Sequence, residues 1–231
     1  MKVTLVGMIY RSTRYLKFML ENMRRFDAEI LVIANDATPE VLAELAESGC
    51  KWLDYKDEKP SDYYLNRVYR GWNAGAKAAE TDTIVFLNSD MWCAEGWLKN
   101  LLSHFDSKTI PCSRLVESGK MLSGKNAISK DFGRSLDTFR KDAFERYAAD
   151  ISEHKVKAGG LYMPCVFNKG EFLAAGGYPE GNIYDGGVGA HGTRFIRSGD
   201  DHFFHHTMIH KKHVTVFDSI AYHFQEGEKD D

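Results

Sequence analysis

The sequence predicts an α/β fold in which helices flank a mostly parallel β-sheet. In the first half, short apolar runs alternate with segments whose apolar residues recur at helical spacing. This alternation is typical of parallel sheets, because consecutive parallel strands need a crossover connection that is usually a helix. The hydrophobic content of 43% among 231 residues is enough for a sizeable core. We therefore expect a single domain over residues 1–231.

Four strands and four helices are predicted in the first half. The strands cover residues 3–7, 30–34, 51–55 and 83–87, and the helices cover residues 14–25, 39–49, 66–79 and 94–105. Thr38 is expected to cap the second helix, with Pro39 at its first position. Right-handed crossovers place the loops after parallel strands along one edge of the sheet. We therefore expect the residues after Gly7, Ala34 and Leu87 to meet in one crevice.

The second half has a less regular pattern. The polar segment 113–130 and the glycine-rich segment 181–199 both favour loops. The other segments predict helices at 136–151 and 201–210 and strands at 161–167, 214–217 and 220–224. A loop as long as 181–199 is usually functional or disordered.

Charge and cysteine content narrow the class of protein. The formal net charge is −3, so no global basic field favours nucleic acid binding. No apolar run reaches membrane-spanning length and no secretion signal opens the sequence, so we expect a cytoplasmic protein. The cysteines form no Cys-x-x-Cys pair and are expected to be reduced; they are Cys50, Cys93, Cys112 and Cys165.

The fourth predicted strand runs directly into a short polar triplet, Asn88-Ser89-Asp90. In open α/β sheets, ligands bind beyond the carboxyl ends of the strands. A carboxylate at that edge can hold a divalent cation, which in turn can hold a diphosphate. The alternative is structural, because strands often end in Asn or Asp simply to make a turn.

Several short motifs occur in a fixed order around this triplet. Asn35-Asp36 follows the second strand, and the segment from Arg70 to Gly75 precedes the fourth. In order and spacing these motifs resemble those of the family 2 glycosyltransferases, which have the GT-A nucleotide-sugar fold. The resemblance extends from residue 3 to residue 223. It implies a nucleotide-sugar-binding half over residues 1–106 and an acceptor-binding, catalytic-base half over residues 107–231.

The resemblance implies roles for residues of the first half and of a later turn. The acidic loop at Asp36 is expected to bind the base and ribose, since a carboxylate can accept a hydrogen bond from an imide N–H. Arg70 or Lys77 is expected to meet phosphate. The remaining residues expected around the nucleotide sugar are Tyr10, Asn35, Asn73, Gly75, Asn88, Ser89, Gly176 and Gly177. As alternatives, Asp36 could simply start a turn, and Asn73 and Gly75 could be ordinary helix residues.

The triplet is similar to the family's Asp-x-Asp motif, with Asn88 in place of the first Asp, as in rhamnosyltransferase-like members. Asp90 is therefore the expected metal ligand, together with the late histidine His223. The expected cofactor is Mn²⁺ or Mg²⁺. Losing one carboxylate lowers the negative charge of such a site.

The resemblance also implies the reaction. Asp200-Asp201 is similar to an acidic motif whose second residue is the general base of an inverting transfer. A general base removes the proton of the acceptor hydroxyl as its oxygen attacks the anomeric carbon. We expect Asp201 in this role, with Asp200 as the fallback. The alternative is an exposed N-terminal helix cap, because acidic residues there favour the helix dipole.

The expected donor is a UDP-, dTDP- or GDP-linked sugar, and the expected enzyme is a hexosyl- or deoxyhexosyltransferase. The expected acceptor is a glycan or a lipid-linked sugar, with a hydroxymethylated DNA base as an alternative. A nucleotidyltransferase would be expected to carry a glycine-rich loop where this sequence has Met8-Ile9-Tyr10-Arg11, and the Asp200-Asp201 pair argues against a non-catalytic binding protein. The sequence leaves the oligomeric state open.

Two features depart from the resemblance. The family's usual Pro-Thr-Tyr-Asn after strand one is matched only at Tyr10, which leaves the identity of the nucleotide base open. The segment 181–199 is longer than usual and is expected to shape the acceptor site or act as a lid. His202 and His206 have the i, i+4 spacing of a zinc-binding helix, but we expect most histidines of 202–213 to be surface or core residues.

Overall fold

The computed structural model describes residues 1–58, 64–119, 122–123, 126–160, 163–180, 183–188, 194–197 and 203–225. The strands are β1 (Val3–Ile9), β2 (Glu29–Asn35), β3 (Lys51–Tyr55), β4 (Thr83–Asn88), β5 (Met91–Cys93), β6 (Thr109–Glu117), β7 (Ile128–Ser129), β8 (Val156–Ala158), β9 (Cys165–Asn168), β10 (Ile183–Val188), β11 (Arg194–Arg197) and β12 (Lys212–His223). The helices are α1 (Thr13–Met23), α2 (Pro39–Ser48), α3 (Tyr64–Ala78), α4 (Trp97–Ser103), α5 (Lys141–Ile151) and α6 (Lys169–Ala174), with a 3₁₀ turn at Leu136–Thr138 and a π-helical turn at Phe203–Thr207. No helix in these ranges is both long and apolar enough to cross a membrane.

The central sheet has the strand order β3-β2-β1-β4-β9-β6-β12-β5, with β7 beside β6 and β8 beside β12. Strands β1 to β4 run parallel to one another, and β9 lies antiparallel between β4 and β6. Strand β12 then runs parallel to β6. The predicted α/β fold with a mostly parallel sheet is confirmed.

Local capping signals position the first two helices as the sequence predicts. Ser12 caps α1 by accepting a hydrogen bond from the backbone N–H of Tyr15 at 3.1 Å. Thr38 caps α2 with Pro39 in its first turn, and Gly49 ends α2 in the left-handed conformation. These caps set the short connections between β1, α1, β2 and α2.

Helices cover both faces of the central strands, so β1 and β4 are buried on both sides. Leu5 of β1 belongs to the core layer that contains α1, α2 and α4. The next residue, Val6, belongs to the opposite layer, which contains Trp72 of α3 and Phe172 of α6. Consecutive strand residues therefore pack against different helical layers, which explains the continuous apolar character of β1.

The prediction of a loop over residues 113–130 is wrong at its start. Strand β6 extends to Glu117, and Ser113 lies buried in its middle. The hydroxyl of Ser113 accepts a hydrogen bond from Trp97 Nε1 at 2.6 Å and lies 3.2 Å from the Ser219 hydroxyl. A polar residue is tolerated in this central strand because its hydrogen bonds are satisfied by residues distant in sequence.

The loop predicted over residues 181–199 contains the antiparallel strand pair β10–β11, with an irregular register between Tyr184 and Val188. Glycine is compatible with such an irregularity. The strands predicted at 214–217 and 220–224 form one strand, β12, whose pairing with β6 shifts between Val216 and Ile220. Of the helix predicted at 201–210, the described residues from 203 onward form only the π-helical turn.

Three other boundaries also differ from the prediction. The helix predicted at 94–105 begins later, at Trp97, because Met91–Cys93 pairs with β12 as a strand. The helix predicted at 136–151 is a 3₁₀ turn followed by α5. The strand predicted at 161–167 is observed as Cys165–Asn168.

Candidate active site

The ends of the parallel strands meet at one edge of the sheet, as predicted. Met8 of β1 pairs in register with Asn88 of β4, and its Sδ lies 3.5 Å from Nδ2 of Asn35 at the end of β2. Asn35 is buried, and its Oδ1 has no hydrogen-bond partner within the part of the chain that the structure describes. This edge therefore contains a buried acceptor that a ligand N–H can satisfy.

Asp36 occupies the left-handed region, with a φ of 52°. Asp tolerates this conformation better than most residues do. Its Oδ1 accepts a hydrogen bond from the backbone N–H of Asp57 at 3.1 Å, and its Oδ2 is ion-paired with Arg67. Asp36 therefore connects the loop after β2 to the loop after β3 and to α3. The hydrogen bond with Asp36 is the main cause that raises the pKa of Arg67.

Asp57 is the buried centre of this network, and its side chain has no exposed area. Arg70 binds it in a bidentate manner, with Nε 3.0 Å from Oδ1 and Nη2 2.7 Å from Oδ2. Arg70 Nη1 also donates to the backbone carbonyl of Glu180 at 3.3 Å. The structure thus assigns Arg70, which was predicted to meet phosphate, to a protein carboxylate. Arg67, one turn earlier on α3, is more exposed, at 19% of its side chain.

Tyr10 lies next to two guanidinium groups at this edge. Its ring centroid is 4.5 Å from Cζ of Arg11 and 5.7 Å from Cζ of Arg67. Cations at such distances from an aromatic face are attracted by its quadrupole. Tyr10 and Arg67 therefore lie together next to Asp36.

Asn73 and the glycine turn, two motifs far apart in sequence, bind each other. The Asn73 side chain accepts a hydrogen bond from the backbone N–H of Tyr178 at 2.9 Å and donates to the carbonyl of Tyr178 at 2.8 Å. Gly177 has a φ of 70°, and a Cβ at this position would lie 2.4 Å from Asn73 Oδ1. Gly177 is therefore required both by its backbone conformation and by the close approach of Asn73.

Gly75 is not brought to this edge. A Cβ on Gly75 would lie 2.7 Å from Val6 and 3.0 Å from Ile33, which are core residues of β1 and β2. The close approach that explains this glycine is therefore the packing of α3 on the sheet. Gly176, with a φ of 91°, would place a Cβ in open space.

Asp90 and His223 are brought together by the antiparallel pairing of β5 with β12, in which His223 pairs with Met91. His223 Nε2 lies 3.3 Å from Asp90 Oδ2. Asp90 also accepts a backbone hydrogen bond from Phe224 at 3.1 Å. Both predicted metal ligands therefore lie at one position, next to the end of β4.

Glu117, at the end of β6, completes this group, which we call the Asp90–His223–Glu117 cluster. Its Oε1 lies 2.8 Å from His223 Nδ1. The carboxylate is fully buried and accepts hydrogen bonds from the N–H and hydroxyl of Ser123 at 2.7 and 2.6 Å. Burial alone would raise the pKa of Glu117, but the hydrogen bonds from His223 and Ser123 outweigh it and lower that pKa.

The Asp90–His223–Glu117 cluster strongly favours a cation. Burial by itself lowers the pKa of His223, but the adjacent carboxylates of Asp90 and Glu117 outweigh it and raise the pKa to about 10. Histidine ligands of metals commonly donate their other ring N–H to a carboxylate, which fixes the tautomer. Glu117 is placed for this function, so the residues fit a divalent metal held by Asp90 and His223 Nε2.

Asn88 and Ser89 immediately precede Asp90. Asn88 is the last residue of β4, and Ser89 is buried. Asp200 and Asp201, the predicted catalytic carboxylates, lie outside the described residues, as does His202.

Glu117, Asp57 and Arg67 are site residues that the sequence did not predict. Glu117 fell within the predicted loop 113–130, although the apolar residues Leu115 and Val116 directly precede it in β6. Asp57 lies two residues after the end of β3, in the loop that corresponds to the one holding Asp36 after β2, and this position was the signal available for it. Arg67 lies three residues before Arg70, on the same face of a helix.

Comparison with known proteins places these features in a family. A family model described as glycosyl transferase family 2 matches residues 8–151. A curated relative from Bacillus subtilis (strain 168), "Putative glycosyltransferase EpsH", is 24% identical over 161 residues, which are 68% of this chain and 42% of the relative. The chain therefore spans about two fifths of the length of this relative.

Two solved structures illustrate the fold. S. aureus TarS 1-349 in complex with UDP is 13% identical, with a TM-score of 0.58 over 96% of this chain and 60% of that one. Mannosyltransferase PcManGT from Pyrobaculum calidifontis, in complex with GDP-Man and Mn²⁺, is 12% identical, with a TM-score of 0.61 over 99% of this chain and 58% of that one. These likenesses confirm the predicted GT-A fold. Because the family model matches more than half of the chain, this protein belongs to glycosyl transferase family 2.

Proposed function

We propose that this protein is a metal-dependent, inverting glycosyltransferase that transfers a hexose or deoxyhexose from a nucleoside diphosphate sugar to a hydroxyl of a glycan or lipid-linked sugar. The observation that carries the proposal is the Asp90–His223–Glu117 cluster at the ligand-binding edge of a family 2 chain. A UDP complex of TarS and a GDP-Man and Mn²⁺ complex of PcManGT support a nucleotide-sugar donor and a divalent metal.

In this proposal the donor base and ribose lie beside Tyr10, Asn35 and Asp36. The buried, unpaired Oδ1 of Asn35 is an acceptor suited to an imide or amino N–H of a base. Asp36 acts partly by holding Arg67, whose side chain is more exposed than that of Arg70. Arg67 is accordingly the better candidate for a charge contact with the diphosphate.

Asp90 and His223 hold the Mn²⁺ or Mg²⁺ ion, with Asn88 and Ser89 lining the same edge. A divalent ion bound there neutralises charge that develops on the leaving diphosphate. As a ligand, His223 would bind the ion through a deprotonated Nε2, because metal ligands bind in the deprotonated form. Glu117 accepts from Nδ1 throughout and keeps the ring in one orientation.

Asn73, Gly176 and Gly177 are proposed to line the nucleotide-sugar site, and the pairing of Asn73 with the glycine turn supports this. The mutual hydrogen bonds of Asn73 and Tyr178 fix the turn against α3. The next residues lead to Glu180, whose carbonyl binds Arg70. The turn therefore connects the donor half of the site to the segment that precedes β10.

Asp201 is the proposed general base, and Asp200 is the fallback. It takes the proton of the acceptor hydroxyl while the hydroxyl oxygen attacks the anomeric carbon and the nucleoside diphosphate leaves from the opposite face. This displacement inverts the anomeric configuration. The assignment rests on the sequence motif.

The test is a panel of UDP-, dTDP- and GDP-linked sugars, measured by thermal shift with Mn²⁺, with Mg²⁺ and with excess chelator. A ligand that binds only the folded state raises its stability in proportion to occupancy. We expect a donor to raise the Tm only with metal, and the same donor to yield an inverted glycoside with a suitable acceptor. The proposal is rejected if no nucleotide sugar stabilises the protein under any metal condition. A retained anomeric configuration in the product would reject the inverting mechanism alone.

A further inference from the structure

A second group of metal-ligating side chains lies away from the proposed donor site. Strand β12 contains extra residues relative to β6, because Val216 pairs with Ser113 while Ile220 pairs with Arg114, the next residue. Asp218 lies in this bulge. Its backbone carbonyl accepts a hydrogen bond from Asn100 Nδ2 of α4 at 2.6 Å. The bulge is thus fastened to α4.

Two histidines approach Asp218 from different elements. His104 follows Asn100 by one turn at the end of α4, so both residues lie on the side of the helix that faces the bulge. His154 is positioned by β8, which pairs antiparallel with β12. That ladder is extended by the hydrogen bond from Phe217 N–H to the carbonyl of Lys155, which places His154 opposite Asp218.

The donor atoms of this His104–His154–Asp218 cluster all lie within 4.8 Å of one another. His154 Nδ1 is 2.8 Å from Asp218 Oδ2, and His104 Nε2 is 4.0 Å from Asp218 Oδ1. The two imidazole rings are 5.1 Å apart between centroids. The cluster therefore has the composition and the approximate size of a three-ligand metal site.

Two buried polar atoms of the cluster lack a hydrogen-bond partner within the described residues, as expected for a site that binds an ion. His104 Nε2 and Asp218 Oδ1 are both buried and have no hydrogen bond among the residues that the structure describes. Buried polar atoms without partners lower stability, and native proteins keep few of them. The 4.0 Å gap between these two atoms is too long for a hydrogen bond. It is close to the roughly 3.4 Å that separates two ligand atoms on a tetrahedral ion with bonds of about 2.0–2.1 Å.

We propose that His104, His154 and Asp218 bind a divalent transition-metal ion, with Zn²⁺ as the best match. Two imidazoles and one carboxylate are a ligand set that Zn²⁺ accepts, with water in the fourth position. His154 is 78% exposed, so the site is open to the solvent and its third ligand can adjust. The bound ion links the end of α4, the connection between α5 and β8, and the bulge of β12.

The site is separate from the proposed donor site but shares a strand with it. Asp218 lies five residues before His223 on β12, which is at most roughly 16 Å at about 3.3 Å per extended residue. None of its three residues belongs to the Asp90–His223–Glu117 cluster. Occupation of this site can therefore be measured independently of the proposed glycosyl transfer.

The experiment uses the full chain carrying Asp90→Asn, which weakens the proposed donor metal site. Zn²⁺ is titrated by calorimetry, and Co²⁺ is used as a spectroscopic probe of coordination geometry. We expect one tightly bound Zn²⁺ per chain and visible d–d absorption typical of four-coordinate Co²⁺. His104→Ala and His154→Ala, each in the same background, should weaken Zn²⁺ binding by about tenfold or more.

His210→Ala is the matched control, because His210 is an exposed histidine outside both clusters. It should leave the Zn²⁺ affinity within about twofold. If His104→Ala or Asp218→Asn misfolds, His154→Ala is the decisive variant, because His154 is largely exposed and its loss should not disturb folding. Unchanged Zn²⁺ affinity in His154→Ala would overturn the proposal. Octahedral Co²⁺ without protein nitrogen ligands would also overturn it.

Discussion

Glu117 lies directly behind His223, with its Oε1 2.8 Å from the imidazole Nδ1. The carboxylate is fully buried and is held by two further hydrogen bonds from Ser123. Its position is therefore set by the protein before any ligand binds. The opposite nitrogen of the same ring faces Asp90 at 3.3 Å. Glu117 thus orients the histidine toward the carboxylate expected to hold the metal.

Replacing Glu117 by Gln should lower Mn²⁺ affinity by about 10–100-fold, the usual effect of losing a carboxylate behind a histidine ligand. The change preserves size and one acceptor but removes the negative charge. Calorimetric titration measures the Mn²⁺ affinity, and circular dichroism verifies that the variant is folded. Ser123→Ala is the control, since it removes one hydrogen bond to Glu117 and leaves its charge. Wild-type Mn²⁺ affinity in a folded Glu117→Gln protein would remove Glu117 from this role.

Replacing Asp90 by Ala should abolish metal-dependent donor binding while the fold survives. The backbone carbonyl of Asp90, which binds Phe224 N–H, is retained in the variant. Nucleoside diphosphate is titrated with Mn²⁺ and again with excess chelator. Asp54→Ala is the matched control, because Asp54 is an exposed carboxylate on β3. If Mn²⁺ still strengthens nucleotide binding in Asp90→Ala, Asp90 is not the central ligand.

Replacing Asp36 should weaken nucleotide binding more than it slows the chemical step, because Asp36 lies at the end of β2 beside Arg67 and Tyr10. Asp36→Asn is preferable to Asp36→Ala, since Asn also tolerates a positive φ. The Asn variant retains an acceptor for the N–H of Asp57 but loses the charge that pairs with Arg67. Titration of nucleoside diphosphate alone provides the measurement. Equal affinity in variant and parent would exclude Asp36 from the nucleotide pocket.

The two glycines of the turn should differ in their tolerance of alanine. Both have a positive φ, so alanine at either position costs about 1–2 kcal/mol of backbone strain. Gly177→Ala also places Cβ against Asn73 and should cost a further 1–3 kcal/mol, approximately, by breaking its hydrogen bonds to Tyr178. Urea unfolding measures both free energies. Equal losses of stability at Gly176 and Gly177 would contradict the contact described here.

Replacing Asp201 by Asn should lower turnover by about 10²–10⁴-fold and leave donor affinity nearly intact, because a general base acts mainly in the transition state. The substitution keeps the size of the side chain and removes its basicity. Asp200→Asn is made alongside it. Slow transfer in Asp200→Asn with the parental rate in Asp201→Asn would shift the assignment by one residue. Parental rates in both variants would reject a base at this motif.

Local sequence signals determined most of the secondary structure in the first half of the chain. The apolar runs of β1, β2 and β4, the helical spacing of α1, and the Thr38–Pro39 start of α2 each depend on residues close together in the chain. Propensity, periodicity and capping act over a few residues, so they can be interpreted without the fold. The same locality explains why Asp90 could be predicted at the end of its strand.

Tertiary structure alone decided which of these residues meet. The contacts between Glu117 and His223 and between Asn73 and Tyr178 join residues more than one hundred positions apart. The tertiary structure also pairs Arg70, which was expected to contact phosphate, with Asp57. Sequence patterns indicate whether a residue is suited to burial. They do not identify the charge that neutralises a buried ionic group, because that charge comes from whichever chain segment the fold brings beside it.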